Sequence, residues 1–240
     1  MSHPEWLSRS ELLLGNNGLD KLKAAHVLVI GLGGVGGAAA EMLCRAGIGQ
    51  LTLVDKDTIH ESNRNRQLPA LISTDGFRKT DVVAQRLRDI NPEVQLTLIC
   101  EDARDERMIE ILSQPYDYVV DAIDTLSPKI YLIYHGLQLG RRIVSSMGSG
   151  GRTDPTMVSV ADISETHTCA FAFDIRKRLR RLGVENGVKV VFSPEKVSKS
   201  AILHHEGEKN KKSIVGTVSY MPVVFGCHCA SVVIRDIAEL

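Results

Sequence analysis

The chain has 240 residues, 43% of them hydrophobic, enough to bury a real core as one large domain or two small ones. Lys+Arg and Asp+Glu both number 29, so no overall field steers the protein to nucleic acid or membrane, and any polyanion would need a local basic patch. The five cysteines (Cys44, Cys100, Cys169, Cys227, Cys229) form no disulfide framework and fit a reducing cytoplasm. The start MSHPEWLSRSE is no secretory signal, and no run reaches the ~20 apolar residues of a membrane span.

Residues 5 to 23 read as a helix with Leu12, Leu13, Leu19 and Leu22 available for a buried face. Val27 to Ile30 reads as a buried strand, Val35 to about Ala46 as a helix stopped by Gly47, and Leu51 to Val54 as a second strand closing on Asp55. His60 to Ala70 reads as loop and short helix, with His60 a surface residue. Asp75-Gly76 is a turn, and a helix runs from about Thr80 to Ile90, where Asn91-Pro92 ends it. Strands follow at Val94 to Ile99 and Tyr118 to Val120, with a helix from Asp105 to Leu112 between them. A helix from Ser127 to Gly140 leads to the strand Ile143 to Ser145; there Tyr131 and Tyr134 read as packing residues. Met157 to Ile163 is expected as an antiparallel strand, Phe171 to Leu182 as an amphipathic helix, Val188 to Phe192 as a strand, 195–215 as a mobile loop, and Val218 to Ile237 as a closing apolar helix.

The chemistry concentrates between Val27 and Gln67. Gly31, Gly33 and Gly36 follow the first strand in the spacing G-x-G-x-x-G, with Gly34 added. Such glycines let backbone approach a phosphate, and free N–H groups at the helix start point at the anion. Asp55 ends the next strand, where an acid can bond ribose hydroxyls, and Asp57 stands two residues on. Alone, this pattern fits a nicotinamide or flavin oxidoreductase as well as an ATP site. Ser62-Asn63-Arg64-Asn65-Arg66-Gln67 follows, and two arginines beside a phosphate-binding turn suit a triphosphate better than a pyrophosphate bridge. Lys79 beside a helix start adds a cation, and Asp121 and Asp124 lie at the carboxyl end of a strand, where open α/β sheets bind ligands.

In that order, Gly31-x-Gly33-Gly34-x-Gly36, Asp55-x-Asp57, Ser62-Asn63-x-x-Arg66-Gln67, Lys79 and Asp124 resemble the ATP-adenylating superfamily of MoeB, ThiF, HesA and the ubiquitin-activating enzymes. The resemblance implies an α/β, Rossmann-like, mostly parallel sheet with an antiparallel extension in the C-terminal part. It also implies a single adenylating domain over 1–240, with a nucleotide-binding part at 1–160 and a basic helix, loop and closing helix at 161–240. It assigns ATP to the glycine turn, to Asp55, Asp57, Ser62 and Asn63, and to Arg66, Lys79, Asp124 and Thr125. Magnesium falls to Asp124, and a monovalent cation (sodium or potassium) is a further expectation. Arg9, in a pattern similar to the family's R-x-x-x-L-x-G, would reach the ATP site of a second subunit, which implies a homodimer.

The last third narrows the branch. Sulfur-carrier-activating relatives usually hold zinc on two C-x-x-C pairs, whereas here Cys227-x-Cys229 has one intervening residue and reads as part of a buried helix. No cysteine lies in 184–215 to serve as a thiol nucleophile. D-A-I-D, S-P-K, Gly-Gly before T-D-P-T, and V-F-S-P-E after a basic helix resemble the branch that dehydrates threonylcarbamoyladenosine in tRNA. Arg176, Lys177, Arg178, Arg180 and Arg181 would then meet tRNA, with Lys209, Lys211 and Lys212 as a second basic cluster. A cysteine desulfurase or sulfur-acceptor system is a further expected partner. The alternatives are adenylation of the C-terminal glycine of a ubiquitin-like sulfur carrier, a nicotinamide oxidoreductase, and a silent scaffold for a desulfurase. Gly148-Ser149-Gly150-Gly151 reads either as a tight connection or as room for the acyl group being activated.

Overall fold

Several strands are buried on both faces, which is why they read as unbroken apolar runs rather than alternating ones. In β1 (His26–Ile30), Val27 and Val29 join one core cluster while Leu28 and Ile30 join the other. The computed structural model describes residues 3–204 and 213–240. The remaining strands of the sheet are β2 (Gln50–Val54), β3 (Gln95–Ile99), β4 (Tyr118–Asp121), β5 (Ile143–Ser146), β6 (Ser159–Asp162) and β7 (Lys189–Phe192), in the order β3-β2-β1-β4-β5-β7-β6. All neighbours are parallel except β6, which runs antiparallel to β7 as the sequence suggests. The order reverses between β1 and β4, so a crevice opens there beyond the carboxyl ends of the strands.

Helices cover both faces. One layer holds α1 (Ser8–Ala24), α2 (Gly34–Arg45), α3 (Lys79–Ile90) and the last helix, which we number α7 (Tyr220–Ala238). The other holds α4 (Asp105–Ser113), α5 (Leu126–Gln138) and α6 (Ala170–Arg181). Helices α2 and α7 lie backbone to backbone: a Cβ on Gly226 would stand 2.5 Å from the Val35 carbonyl oxygen. Phe225 beside it is fully buried, a contribution of roughly 2–3 kcal/mol by area.

Three expectations are corrected. The N-terminal helix breaks at Gly15 (φ 69°, ψ 168°), and ahead of the break Leu12 and Leu13 are 89% and 81% exposed; only Leu19 and Leu22 reach the core. The expected loop at 195–215 contains a short antiparallel pair, β8 (Ile202–His204) and β9 (Ser213–Val215). Lys209, Lys211 and Lys212 lie outside the described residues. Finally, the apolar stretch expected to fall short of a membrane span is one continuous helix, α7, with Pro222 and His228 inside it. Pro222 sits in the first turn, where its missing N–H costs nothing, and the helix is long and apolar enough to cross a membrane by length and composition. Its packing on α1, α2 and the sheet gives its apolar residues a protein core to fill.

Candidate functional site

The first strand ends on Ile30, and the chain turns through Gly31 at φ +88°. A Cβ there would stand 2.7 Å from the Ala122 carbonyl oxygen, and one on Gly36 would stand 1.7 Å from that of Gly31. Only glycine permits this turn, which brings β1, the start of α2 and the end of β4 together. Helix α2 starts at Gly34 with no side-chain cap, so its first N–H groups remain available to an anion.

Asp55 holds the turn from the next strand. Its Oδ2 accepts the Leu32 N–H at 2.6 Å and its Oδ1 accepts that of Asp57 at 2.8 Å. Burial pushes the Asp55 carboxyl above its ordinary range, against the pull of Lys79 and the two N–H donors. The Lys79 ammonium, 7% exposed, donates to Asp57 Oδ2 at 2.8 Å and stands 3.9 Å from Asp55 Oδ2. Leu32, Asp55, Asp57 and Lys79 thus form one linked group beside the glycine turn.

The polar segment supplies the lip. Asn63 accepts the His60 N–H, and the half-buried Arg66 donates to the Ser62 carbonyl and to Asn65 Oδ1, each at 2.9 Å. Gly33 faces this segment: a Cβ on it would meet Gln67 Nε2 at 3.6 Å. Gly34 lets the chain close in on the turn. Its missing Cβ would strike Pro222 at 2.7 Å and the Arg66 carbonyl at 2.9 Å, so the space is filled by the chain itself. Arg64 pairs with Glu61, and the Asn65 amide donates to the Thr217 carbonyl, which ties the lip to the approach to α7.

At the end of β4 the two aspartates divide. Asp121 is fully buried, bonded to Lys129 at 2.7 Å, to Ser145 Oγ at 2.6 Å and to the Ile123 N–H, and is structural. Asp124 is exposed beyond the strand, and Thr125 precedes α5. Among the described residues no group of three or more acids, histidines or cysteines gathers around one point. A single exposed carboxylate fits magnesium, a hard cation that takes one or two protein oxygens and completes its shell with phosphate and water.

Arg9 lies exposed on α1 and makes no contact with the crevice of its own chain among the described residues. On α6, Ala172, Ile175 and Leu179 are buried, while Lys177, Arg178, Arg180 and Arg181 are exposed without ion pairs among the described residues. Arg176 departs from the expected basic face. Its guanidinium turns inward to the Thr166 carbonyl at 2.7 Å, the Thr166 hydroxyl and the Ile163 carbonyl. Cys227 and Cys229 lie on α7, and burial pushes the Cys229 thiol up to about 12. Gly150 and Gly151 pack against Val215 and Val197, and beside them opens a cavity of about 350 Å³ lined by Arg152, Thr153, Glu195 and Lys196 among others.

Sequence reasoning missed Lys129 and Ser145, the partners of Asp121. The signal was present for one of them: Lys129 stands four residues before Ile133, on the buried face of α5. It also took Tyr131 for a packing residue, whereas the residue is 50% exposed.

Comparison with known proteins agrees with this geometry. The model of the ThiF family matches residues 7–239. The tRNA threonylcarbamoyladenosine dehydratase of Bacillus subtilis is 45% identical over 188 residues, 78% of this chain and 74% of the relative. That of Escherichia coli is 39% identical over 190 residues, 76% of this chain and 71% of the relative. The crystal structure of E. coli TcdA in complex with ATP superposes with a TM-score of 0.90 at 32% identity, covering 98% of this chain and 94% of that one.

Proposed function

The chain belongs to the ThiF family, and from that premise we propose that it is an ATP-dependent dehydratase of threonylcarbamoyladenosine in tRNA. The observation that carries the reading is the linked group of Leu32, Asp55, Asp57 and Lys79 at a glycine turn with uncapped helix N–H groups, in a chain that superposes on an ATP complex.

The carboxylate of the modified adenosine attacks the α-phosphate of ATP, pyrophosphate leaves, and an acyl-adenylate forms. The substrate's own carbamoyl group then closes a ring on the acyl carbon and expels AMP. One water is lost from the nucleoside, its oxygen leaving on AMP, and no enzyme nucleophile is required. Catalysis is positioning and charge neutralisation. The N–H groups of the Gly31–Gly36 turn, Arg66 and Lys79 hold the phosphates, Asp55 the ribose, and Ser62 and Asn63 keep the Arg66 segment in place. Asp124 would hold magnesium, which would supply charge neutralisation at the phosphates. Arg9 enters from a second copy of the chain; the exposed Leu12 and Leu13 beside it support a homodimer that covers them. The exposed cations of α6 receive the tRNA backbone. A cytoplasmic location accords with a tRNA substrate.

The test supplies ATP with modified tRNA and follows AMP and the nucleoside mass. AMP with the loss of one water supports the proposal. AMP formed only with a ubiquitin-like carrier protein, or binding of NADH in place of ATP, would refute it.

A further inference from the structure

A second groove lies between α5 and α6, about 200 Å³ in volume. Ser127, Ile130 and Tyr131 line it from α5; Arg178, Arg181 and Leu182 line it from the α6 side. Each triplet is spaced i, i+3, i+4, so two helix faces meet across the groove. Ile130 is buried and Leu182 partly exposed, which gives an apolar floor. The Tyr131 ring lies nearly parallel to the His135 imidazole, 6.1 Å between centroids at 19°, and Tyr134 braces that imidazole edge-on at 5.2 Å. Arg178 and Arg181 are exposed and without a carboxylate partner among the described residues.

This combination selects its ligand. A small inorganic anion would need only the cations, and an apolar peptide would gain nothing from unpaired guanidiniums. A nucleotide uses both, with its base on the aromatic face and its phosphate on the arginines. The position agrees. Tyr131 is six residues beyond Thr125, which opens α5 just after Asp124, so it lies about 9 Å along the helix at the helical rise per residue. A nucleotide beside the one that reacts would fall here.

We propose that this groove seats an unpaired nucleotide of the RNA substrate, with Tyr131 as the stacking platform and Arg178 and Arg181 as the phosphate clamp. The inference rests on the RNA-directed function above and names one of its contacts.

The experiment titrates the full chain with tRNA carrying threonylcarbamoyladenosine, by fluorescence anisotropy at several salt concentrations, with ATP affinity measured in parallel. Tyr131→Leu, which keeps an apolar wall, is expected to weaken tRNA binding about tenfold and to raise KM for tRNA more than it lowers kcat. Tyr131→Phe, which keeps the ring, should bind as the parent does. Arg178→Ala with Arg181→Ala should weaken binding and reduce the salt slope by between about one and two. ATP affinity should be unchanged in all of them. Tyr131→Leu binding as tightly as Tyr131→Phe, or an unchanged salt slope in the double variant, would overturn the inference. Dehydration by the parent that is indifferent to every groove variant sinks this inference alone; a parent that binds no tRNA sinks the function it rests on.

Discussion

The Lys79 ammonium is hydrogen-bonded to the Asp57 carboxylate at 2.8 Å while standing 3.9 Å from Asp55, so a buried cation is held between two acids at the edge of the phosphate crevice. On the proposed function, a phosphate entering the crevice would compete with Asp57 for that ammonium, while Asp55 stays bonded to the glycine turn. Lys79→Ala is therefore expected to abolish AMP release and also to lower stability at neutral pH by about 2 kcal/mol, because a buried carboxylate loses its counter-charge. Burial already raises the folded-state value of Asp55, and the variant raises it further. A raised carboxyl costs stability where it must ionise, so the variant's deficit should shrink as pH falls toward the carboxylate range. Thermal unfolding across pH measures this; a deficit that grows on acidification would contradict it.

Neighbouring glycines should separate folding from binding. Gly34→Ala places a methyl against Pro222 and the Arg66 carbonyl and should lower stability by about 2 kcal/mol. Gly33→Ala finds only Gln67 Nε2 at ordinary contact distance, so it should unfold near the parent temperature but bind ATP less tightly. Calorimetric unfolding with nucleotide titration distinguishes the two, and the reverse ranking would discredit the packing reason given for Gly34.

The basic helix divides in a similar way. Lys177, Arg180 and their exposed neighbours changed to Glu should weaken tRNA binding at least tenfold and leave ATP binding intact. Arg176→Ala should instead cost about 1–3 kcal/mol of stability, because it takes the donor from the Thr166 carbonyl; the Ile163 carbonyl keeps the Thr166 hydroxyl. Equal behaviour of Arg176 and Lys177 in both assays would refute this division.

Mixing tests the second subunit. Arg9→Ala and Lys79→Ala should each be inactive alone. After dissociation and reassociation at equal amounts, half the dimers are mixed and each has one intact site, which restores about one quarter of parent activity. No recovery would place Arg9 outside the partner's crevice.

Far from the crevice, Asp236 accepts from Tyr118 at 2.9 Å and Lys189 at 2.6 Å, with Arg142 at 3.4 Å. Burial opposes its charge, but Lys189, Tyr118 and Arg142 together hold it below the ordinary carboxylate range. A depressed carboxyl contributes stability above its unfolded value and loses it as pH falls through the folded one. Asp236→Asn should cost about 1–2 kcal/mol at pH 7 and progressively less below pH 4. A constant deficit over that range would rule out the linkage.

What could be read from the sequence follows a physical divide. The strand runs, the glycine turn and Asp55 are local patterns fixed by backbone geometry, and they stand where expected. The break at Gly15 was hidden because Leu12 and Leu13 continue a helical apolar rhythm that no surface of the same chain covers. Arg176 and Lys177 are adjacent cations with opposite fates, decided by Thr166 on another segment. The real neighbours of Gly34 are Arg66 and Pro222, the latter 188 positions away, a proximity that no local pattern encodes.

That last contact has a consequence for biosynthesis. The phosphate turn lies near the start of the chain, but its supporting wall is Pro222 and the helix around Gly226. A nascent chain on the ribosome can lay down β1, α2 and β2 early, yet it lacks a finished nucleotide seat until the final helix has emerged and docked. Chains that lack this helix should therefore hold ATP poorly, and the apolar face of α2 and of the sheet that it buries stays uncovered.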